Sequence, residues 1–467
     1  MTTQEAWQKQ TERLEFYRQS NPALITREKK RSEKEIFEEI GIYNIPLDKP
    51  LGYIRLFPQD FIVEEKMNGG NVARINEIKR NTAEKKNEKD NTLYAKFIKI
   101  GIPTNVAVER ISERLKIDKN KIGYAGLKDA DAVTAQFVAF SGIRMAPEEA
   151  TRQKIPNVYL TDFHYGKGSL APGDLEENIF TITTRVKGAV DDKFKIKIET
   201  ITKFGVLNYF QSQRFGGLRL LSHKLGKLIM RGDYELAVKY FLLKSSSDDI
   251  PLIKELRKRA EKIFPDWMEI KKIFEELPYT FCNEIKLLEY LTNAPFNYVG
   301  ALIEISDQTQ LWAYAYASWL FNKHLSAYAK INGCINEKFP TILSDDPVDW
   351  ELYRSYLQED GTAEFRKNLR PFKFIQMKKR LTAGRIFPKD IKYREFKGGV
   401  IINFTLPKGA YATTFLTNLF ELEQGLPVPE GISLEEIDPK EKMGEGSIKE
   451  IKEIFKDCWH SKIENIV

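Results

Sequence analysis

The chain has 467 residues, 42% of them hydrophobic and 30% charged, with a formal net charge of +7. That length allows two or three domains, the balance excludes bulk disorder, and the basic excess is compatible with a polyanionic partner without selecting one. No apolar run nears the roughly 20 residues of a membrane span and the first 31 residues lack the apolar core of a secretion signal, so a cytoplasmic protein is expected. Cys282, Cys334 and Cys458 are far apart and form neither a CxxC pair nor a disulfide framework, which fits a reducing compartment. Cys458 and His460 lack a second ligand pair at metal-site spacing, so no metal is expected.

Residues 1–40 read as one or two charged helices. Short β-type segments follow at 53–57 and 61–65, separated by the turn signal at 58–60. The charged run at 74–91 reads as a solvated loop, and 93–100 as a strand. Thr104 or Asn105 can cap a helix that carries Val108, Ile111 and Leu115 on one face. Strand patterns recur at 122–125, 134–140 and 180–184, and 192–204 reads as helical. From 221 to 330 strand signals nearly vanish, while apolar residues recur at helical spacing through Leu225, Leu228, Ile229 and Leu236 and again over 311–325. A mixed segment runs to about 390, a strand resumes at 400–404 and a helix at 411–422. The simplest architecture is α+β: one mixed domain interrupted by a mainly helical one, its last strand and helix returning late.

Four segments carry residues suited to chemistry. In the stretch 123–136, Gly123 and Gly126 permit a sharp turn or a close approach, and Lys128, Asp129 and Asp131 cluster just before a strand. The stretch lacks the Gly-Lys-Ser/Thr ending of a phosphate loop, and alone it reads as a structural turn in which Asp satisfies its own backbone. In 205–217, Tyr209 and Phe210 alternate with Asn208, Gln213 and Arg214; aromatic faces stack on bases, amides read base edges and Arg holds phosphates, although a helix end packing its aromatics inward fits as well. The stretch 406–415 reads as a strand end, turn and helix start, and 55–65 as a hairpin.

Together and in this order, these segments resemble the TruD family of pseudouridine synthases. The family's basic-x-x-Pro-x-Asp-Phe-x-Val-x-Glu segment is matched from Arg55 to Glu65, and its Gly-x-Lys-Asp-x-x-Ala-x-Thr-x-Gln segment from Gly126 to Gln136. Its Asn-Tyr-Phe-x-x-Gln-Arg-Phe-Gly segment is matched from Asn208 to Gly216, and its Leu-Pro-x-Gly-x-aromatic-Ala-Thr segment from Leu406 to Thr413. Asn178 to Phe180 and Ser318 to Asn322 also resemble family elements. The resemblance covers about 50 to 422.

It implies a pseudouridine synthase-type mixed, mainly antiparallel sheet with flanking helices, interrupted by a largely helical TRUD domain. The expected division is a charged helical N-terminal extension at 1–45, the first part of the catalytic domain at 46–220, the inserted domain at 221–390, the last catalytic strand and helix at 391–425, and a C-terminal extension at 426–467. It implies isomerisation of uridine in RNA, with tRNA as partner and position thirteen as the target. Some relatives act on other RNAs, and a non-catalytic RNA-binding protein on the same fold is the rival reading. The reaction needs no group donor, so no cofactor is implied. Asp129 takes the place of the catalytic nucleophile and Arg55 that of its basic partner; Phe210 matches the ring that packs on the target base, and Asn208 the amide that contacts uracil or orders the aspartate loop. Lys128, Gln213 and Arg214 are left to support that loop or touch RNA, and Asp60 and Glu65 to help hold the basic partner. An ionised carboxylate is required, and a neighbouring cation favours one. The basic stretches 254–262 and 366–380 are candidates for phosphate contacts.

Overall fold

The β-type segments of the sequence assemble into one sheet of ten strands. A computed structural model describes residues 3–26, 31–78, 90–142, 150, 153–188, 190, 192–217, 219–333 and 335–461. Most of the charged run at 74–91 lies outside the described residues, as does Cys334. The chain divides into two compact units, one built from 48–206 and 386–467 and the other from 1–47 and 207–385.

In the first unit, the sheet unit, the strands are β1 (Leu51–Ile54), β2 (Phe61–Met67), β3 (Thr92–Ile100), β4 (Ile122–Tyr124), β5 (Val133–Ser141), β6 (Val158–Gly166), β7 (Leu175–Val186), β8 (Lys389–Phe396), β9 (Gly399–Pro407) and β10 (Glu421–Glu423). Their order is β8-β9-β7-β2-β5-β3-β6, with β4 on β5 and with β1 pairing both β7 and β10. The pairing is antiparallel except between β2 and β5 and between β1 and β10. The parallel step places Ile62 opposite Val133 and Glu64 opposite Ala135, and so sets the segment after Arg55 beside the strand that follows Asp129.

The helix Thr104–Leu115 buries Ala107, Val108, Ile111 and Leu115, the three-and-four spacing of one apolar face, against Leu93, Phe97, Val138 and Phe140. Each such side chain contributes roughly 1.5–3 kcal/mol by leaving water. Thr104 is not its cap; it is the first helical residue, and its hydroxyl is turned to the Asp129 loop. A second core joins Phe180, Ile182, Phe404, Phe415 and Phe420 to the helix Asp192–Phe204. A third packs Ile448, Ile451 and Trp459 onto Ile62, Ile98 and Val133, so 426–461 is part of this unit and not an appendage.

Three elements differ from the sequence reading. The helix expected over 411–422 ends as Ala412–Leu416, and Glu421–Glu423 instead pairs with Leu51–Tyr53. Strand β6 gave no clear signal because its polar and apolar residues are mixed; Asp162, which breaks the pattern, pairs with buried Lys96 at 2.9 Å. Strand β8 is a sheet edge and is largely exposed, so charge dominates its sequence.

The second unit is helical. Its longest element, Ser306–Asn332, buries Trp312, Tyr316, Leu320, Phe321, Asn322 and Leu325. The N-terminal helix Thr3–Ser20 belongs here: Trp7 meets Tyr279 edge-on with ring centroids 4.9 Å apart, and Arg13 pairs with Glu276 at 3.2 Å. The boundary expected at 220 falls between 206 and 207, which puts Asn208 and Phe210 in the helical unit. Among the described residues no helix is long and apolar enough to cross a membrane.

Candidate active site

Asp129 lies on the connection between β4 and β5. Neither glycine before it has a positive φ; both answer to close packing. A Cβ on Gly123 would stand 2.4 Å from the Leu170 carbonyl oxygen, and one on Gly126 would stand 2.9 Å from a Leu175 methyl. The loop is then tied at successive residues. Gly173 N–H donates to the Ala125 carbonyl at 2.7 Å, and the Gln136 amide donates to the Gly126 carbonyl at 3.1 Å. Lys128 N–H donates to the Thr104 hydroxyl at 2.9 Å, which donates to Gln136 Oε1 at 3.1 Å. Lys128 Nζ reaches Glu65 Oε1 at 2.5 Å, both groups being buried, while Glu65 Oε2 accepts Phe137 N–H at 3.0 Å. Lys99 Nζ donates to the Asp129 main-chain carbonyl at 2.6 Å.

Against this held backbone the Asp129 side chain remains 36% exposed, and its Oδ1 accepts Arg55 Nη2 at 3.1 Å. Arg55 is only 4% exposed. Its guanidinium lies over the Phe61 ring at 4.1 Å, and Nη1 donates to Gln424 at 3.0 Å, so three neighbours fix its plane. Its backbone is left-handed, with φ of 63°, a conformation that costs a side-chain-bearing residue on the order of 1 kcal/mol. Asp60 holds this turn: its Oδ2 accepts the N–H groups of Leu56 and Phe57, each at 3.0 Å. Both Asp60 oxygens also take the buried Arg185 fork, at 3.2 and 3.0 Å. Burial pushes the Asp60 carboxyl up, against the pull of that guanidinium. Asp60 therefore shapes the chain after Arg55, whereas Glu65, also expected near the basic partner, is taken by Lys128.

The segment 208–216 is held by neutral groups. The Asn208 side-chain amide donates to the Ala383 carbonyl and its backbone N–H to the Gly384 carbonyl, both at 2.9 Å. Phe210 is bracketed by one side chain, Asn322, whose Oδ1 accepts Phe210 N–H at 3.0 Å and whose Nδ2 donates to the Phe210 carbonyl at 2.9 Å. The half-buried Phe210 ring meets Phe321 edge-on at 5.4 Å and carries the Arg214 guanidinium at 5.3 Å. Gln213 lies exposed in the turn Ser212–Phe215. Among the described residues no group of three or more His, Cys, Asp or Glu could hold a metal ion.

Comparison with known proteins gives the family. The family model described as tRNA pseudouridine synthase D (TruD) matches residues 39–348. The chain belongs to the TruD family. Its tRNA pseudouridine synthases are isomerases. A Methanopyrus kandleri protein named as a probable tRNA pseudouridine synthase D is 30% identical over 345 residues, covering 68% of this chain and 83% of that one. A Methanocaldococcus jannaschii protein of the same description is 28% identical over 412 residues, covering 79% and 91%. A crystal structure from Methanosarcina mazei whose description names TruD aligns with a TM-score of 0.61 at 21% identity, covering 82% of this chain and 97% of that one; it shows the same fold.

Several TruD motif positions that had no assigned task make contacts in this structure. Gln136 closes the Asp129 loop, and Asn322, at the end of the Ser318–Asn322 element, clamps Phe210. Their motif membership was the available signal. Gln424 and Lys99 carried none. Of the basic stretches, 366–380 keeps Arg366, Lys367, Arg370 and Lys373 exposed, but Arg257 in 254–262 turns inward to Glu284 at 2.7 Å.

Proposed function

We propose that the protein isomerises uridine to pseudouridine in tRNA, at position thirteen. Asp129 acts as the nucleophile, Arg55 as its cationic partner, Phe210 as the ring on which the target base packs, and Asn208 as a positioning amide. The reading rests above all on one observation: a buried guanidinium, fixed on three sides, stands 3.1 Å from a carboxylate that keeps 36% of its side chain open. A structural ion pair at a turn needs no open acid, whereas a carboxylate that meets a substrate does.

The reaction breaks the bond between uracil N1 and ribose C1′, turns the base, and joins C5 to C1′. The C5 proton is lost and N1 gains one, so atoms and electrons balance without a donor. Attack of Asp129 on C1′, attack on the base, and removal of a ribose proton all begin from the ionised carboxylate. The base must leave its stack, at a cost of a few kcal/mol, which favours a loosely paired uridine. Exposed basic residues, including 366–380, supply phosphate contacts that weaken with salt. The same reading places the protein with its RNA in the cytoplasm.

The test uses unmodified tRNA transcripts, with pseudouridine mapped by its chemical adduct. The wild type is expected to modify position thirteen, and Asp129→Asn to lose at least about 10⁴-fold in rate while still binding RNA. Activity that survives the substitution removes Asp129 from its role. Modification at another uridine moves the target. RNA binding by the wild type without any modification favours a binding protein on the same fold.

A further inference from the structure

Strand β3 carries two buried lysines on opposite faces, Lys96 and Lys99. Lys96 is an ordinary buried cation: it pairs with Asp162 at 2.9 Å and donates to the carbonyls of Arg74 and Glu77. Lys99 is fully buried and has no carboxylate within ion-pair distance among the described residues. Its Nζ donates to two carbonyls, Asp129 at 2.6 Å and Ile102 at 2.8 Å. Across the sheet it stands opposite Thr134 on β5 and Val158 on β6, neither of them charged. The charges that reach it are those of Asp129, which favours its ammonium form, and Lys128, which opposes it. A buried cation without an ion-pair partner costs several kcal/mol, and apolar residues fill such positions more cheaply.

We propose that Lys99 is a positioning residue for Asp129: it grips the main-chain carbonyl of that residue from within the sheet, and its charge is coupled to the open carboxylate on the same residue. The inference rests on the reading of Asp129 as nucleophile. Holding the carbonyl fixes the peptide from which the side chain springs, and a displacement of about 1 Å at a reacting group can cost on the order of 100-fold in rate. Burial lowers the Lys99 ammonium to about 7, so below neutrality it stays charged where an acid limb would be measured.

The experiment compares full-length wild type, Lys99→Met, Lys96→Met and Asp129→Asn on the same tRNA. Lys99→Met is expected to lower kcat by about 30-fold or more with KM within about 2-fold, and to move the acid limb of the kcat profile to higher pH. Lys96→Met should lower Tm and leave kcat per folded molecule unchanged. Lys99→Met with kcat within about 2-fold of wild type, or with a loss matching only its unfolded fraction, overturns the proposal. Loss of activity in Asp129→Asn with activity kept in Lys99→Met overturns the role of Lys99 alone; activity kept in Asp129→Asn overturns the nucleophile reading beneath it. If Lys99→Met does not fold, NMR of ¹³C-lysine-labelled protein carries the test. A lysine titrating near 7 in the wild type should titrate lower in Asp129→Asn. The same titration in both proteins removes the coupling.

Discussion

The Asp129 loop and the Phe210 segment are fixed by opposite means. Around Asp129 the supports are charged and buried: Arg55, Lys99, Lys128, Glu65 and, behind Arg55, the Asp60–Arg185 pair. Around Phe210 the backbone is held by neutral groups, the amides of Asn322 and Asn208, while the ring meets the edge of Phe321 and carries the Arg214 guanidinium. On the proposed reading, the difference follows from what each segment would present to the RNA. A carboxylate that must stay ionised gains from fixed positive charge nearby, and a low-dielectric setting magnifies that gain. A ring offered to a neutral base needs only a rigid backbone, which two amide hydrogen bonds supply without the desolvation cost of ions.

If the contrast is right, charge removal should act on rate and amide removal on stability and binding. The largest effect after that of Asp129 itself is expected from Arg55→Gln, which keeps a donor but removes the cation: about 100-fold in kcat, with KM little changed. A loss seen only in KM would make Arg55 an RNA contact and break the contrast. Asn322→Ala removes both hydrogen bonds that this side chain makes to the Phe210 backbone, so thermal or denaturant unfolding should show a loss of about 1–3 kcal/mol, with tRNA affinity falling by about 10-fold. An unchanged affinity would separate the clamp from substrate binding. The smallest effect concerns pH. Lys99 titrates near 7 when folded and near its ordinary value when unfolded, so between about 7 and 10 the unfolded chain binds more protons. Stability from this group therefore rises with pH across that window. The Tm of wild type minus that of Lys99→Met should therefore rise toward alkaline pH by a few degrees; a value that falls with pH would reverse the sign.

How much of this was legible in the sequence differs between the two regions. Apolar β-type runs located β3, β5 and β7, which are buried on both faces, and apolar periodicity located the helices Thr104–Leu115 and Asp192–Phe204, which pack one face on the sheet cores. Periodicity missed β6 and β8, whose charged residues answer to a buried ion pair and to a sheet edge. The motif order placed Arg55 and Asp129 as neighbours 74 positions apart, and they meet at 3.1 Å. Two of the supports were not readable. Lys99 looks like any strand lysine until its neighbours in space are known, and Gln424 lies hundreds of residues from the arginine that it holds. Asn322 was marked by its motif, but its work on Phe210 required the fold.

The residues after 425 bear on how the protein comes into being on a ribosome. Arg185 donates to the carbonyls of Ser433 and Glu435, Lys440 pairs with buried Glu64 at 2.8 Å, and Trp459 donates to Gln59 at 3.0 Å. Every residue of the helical unit has been synthesised by position 385, whereas these partners of β2, β7 and the turn before β2 emerge last. The nascent sheet must carry Arg185, which already has Asp60, and Glu64, which already has the Ile75 N–H, without these C-terminal partners through the synthesis of the entire helical insertion. Domains that fold as units complete in the order in which their last residues appear. The unit that starts at 48 is thus finished last, and a chain released a few dozen residues early would hold a formed insertion and a sheet in which Glu64 lacks Lys440 and Arg185 lacks the Ser433 and Glu435 carbonyls.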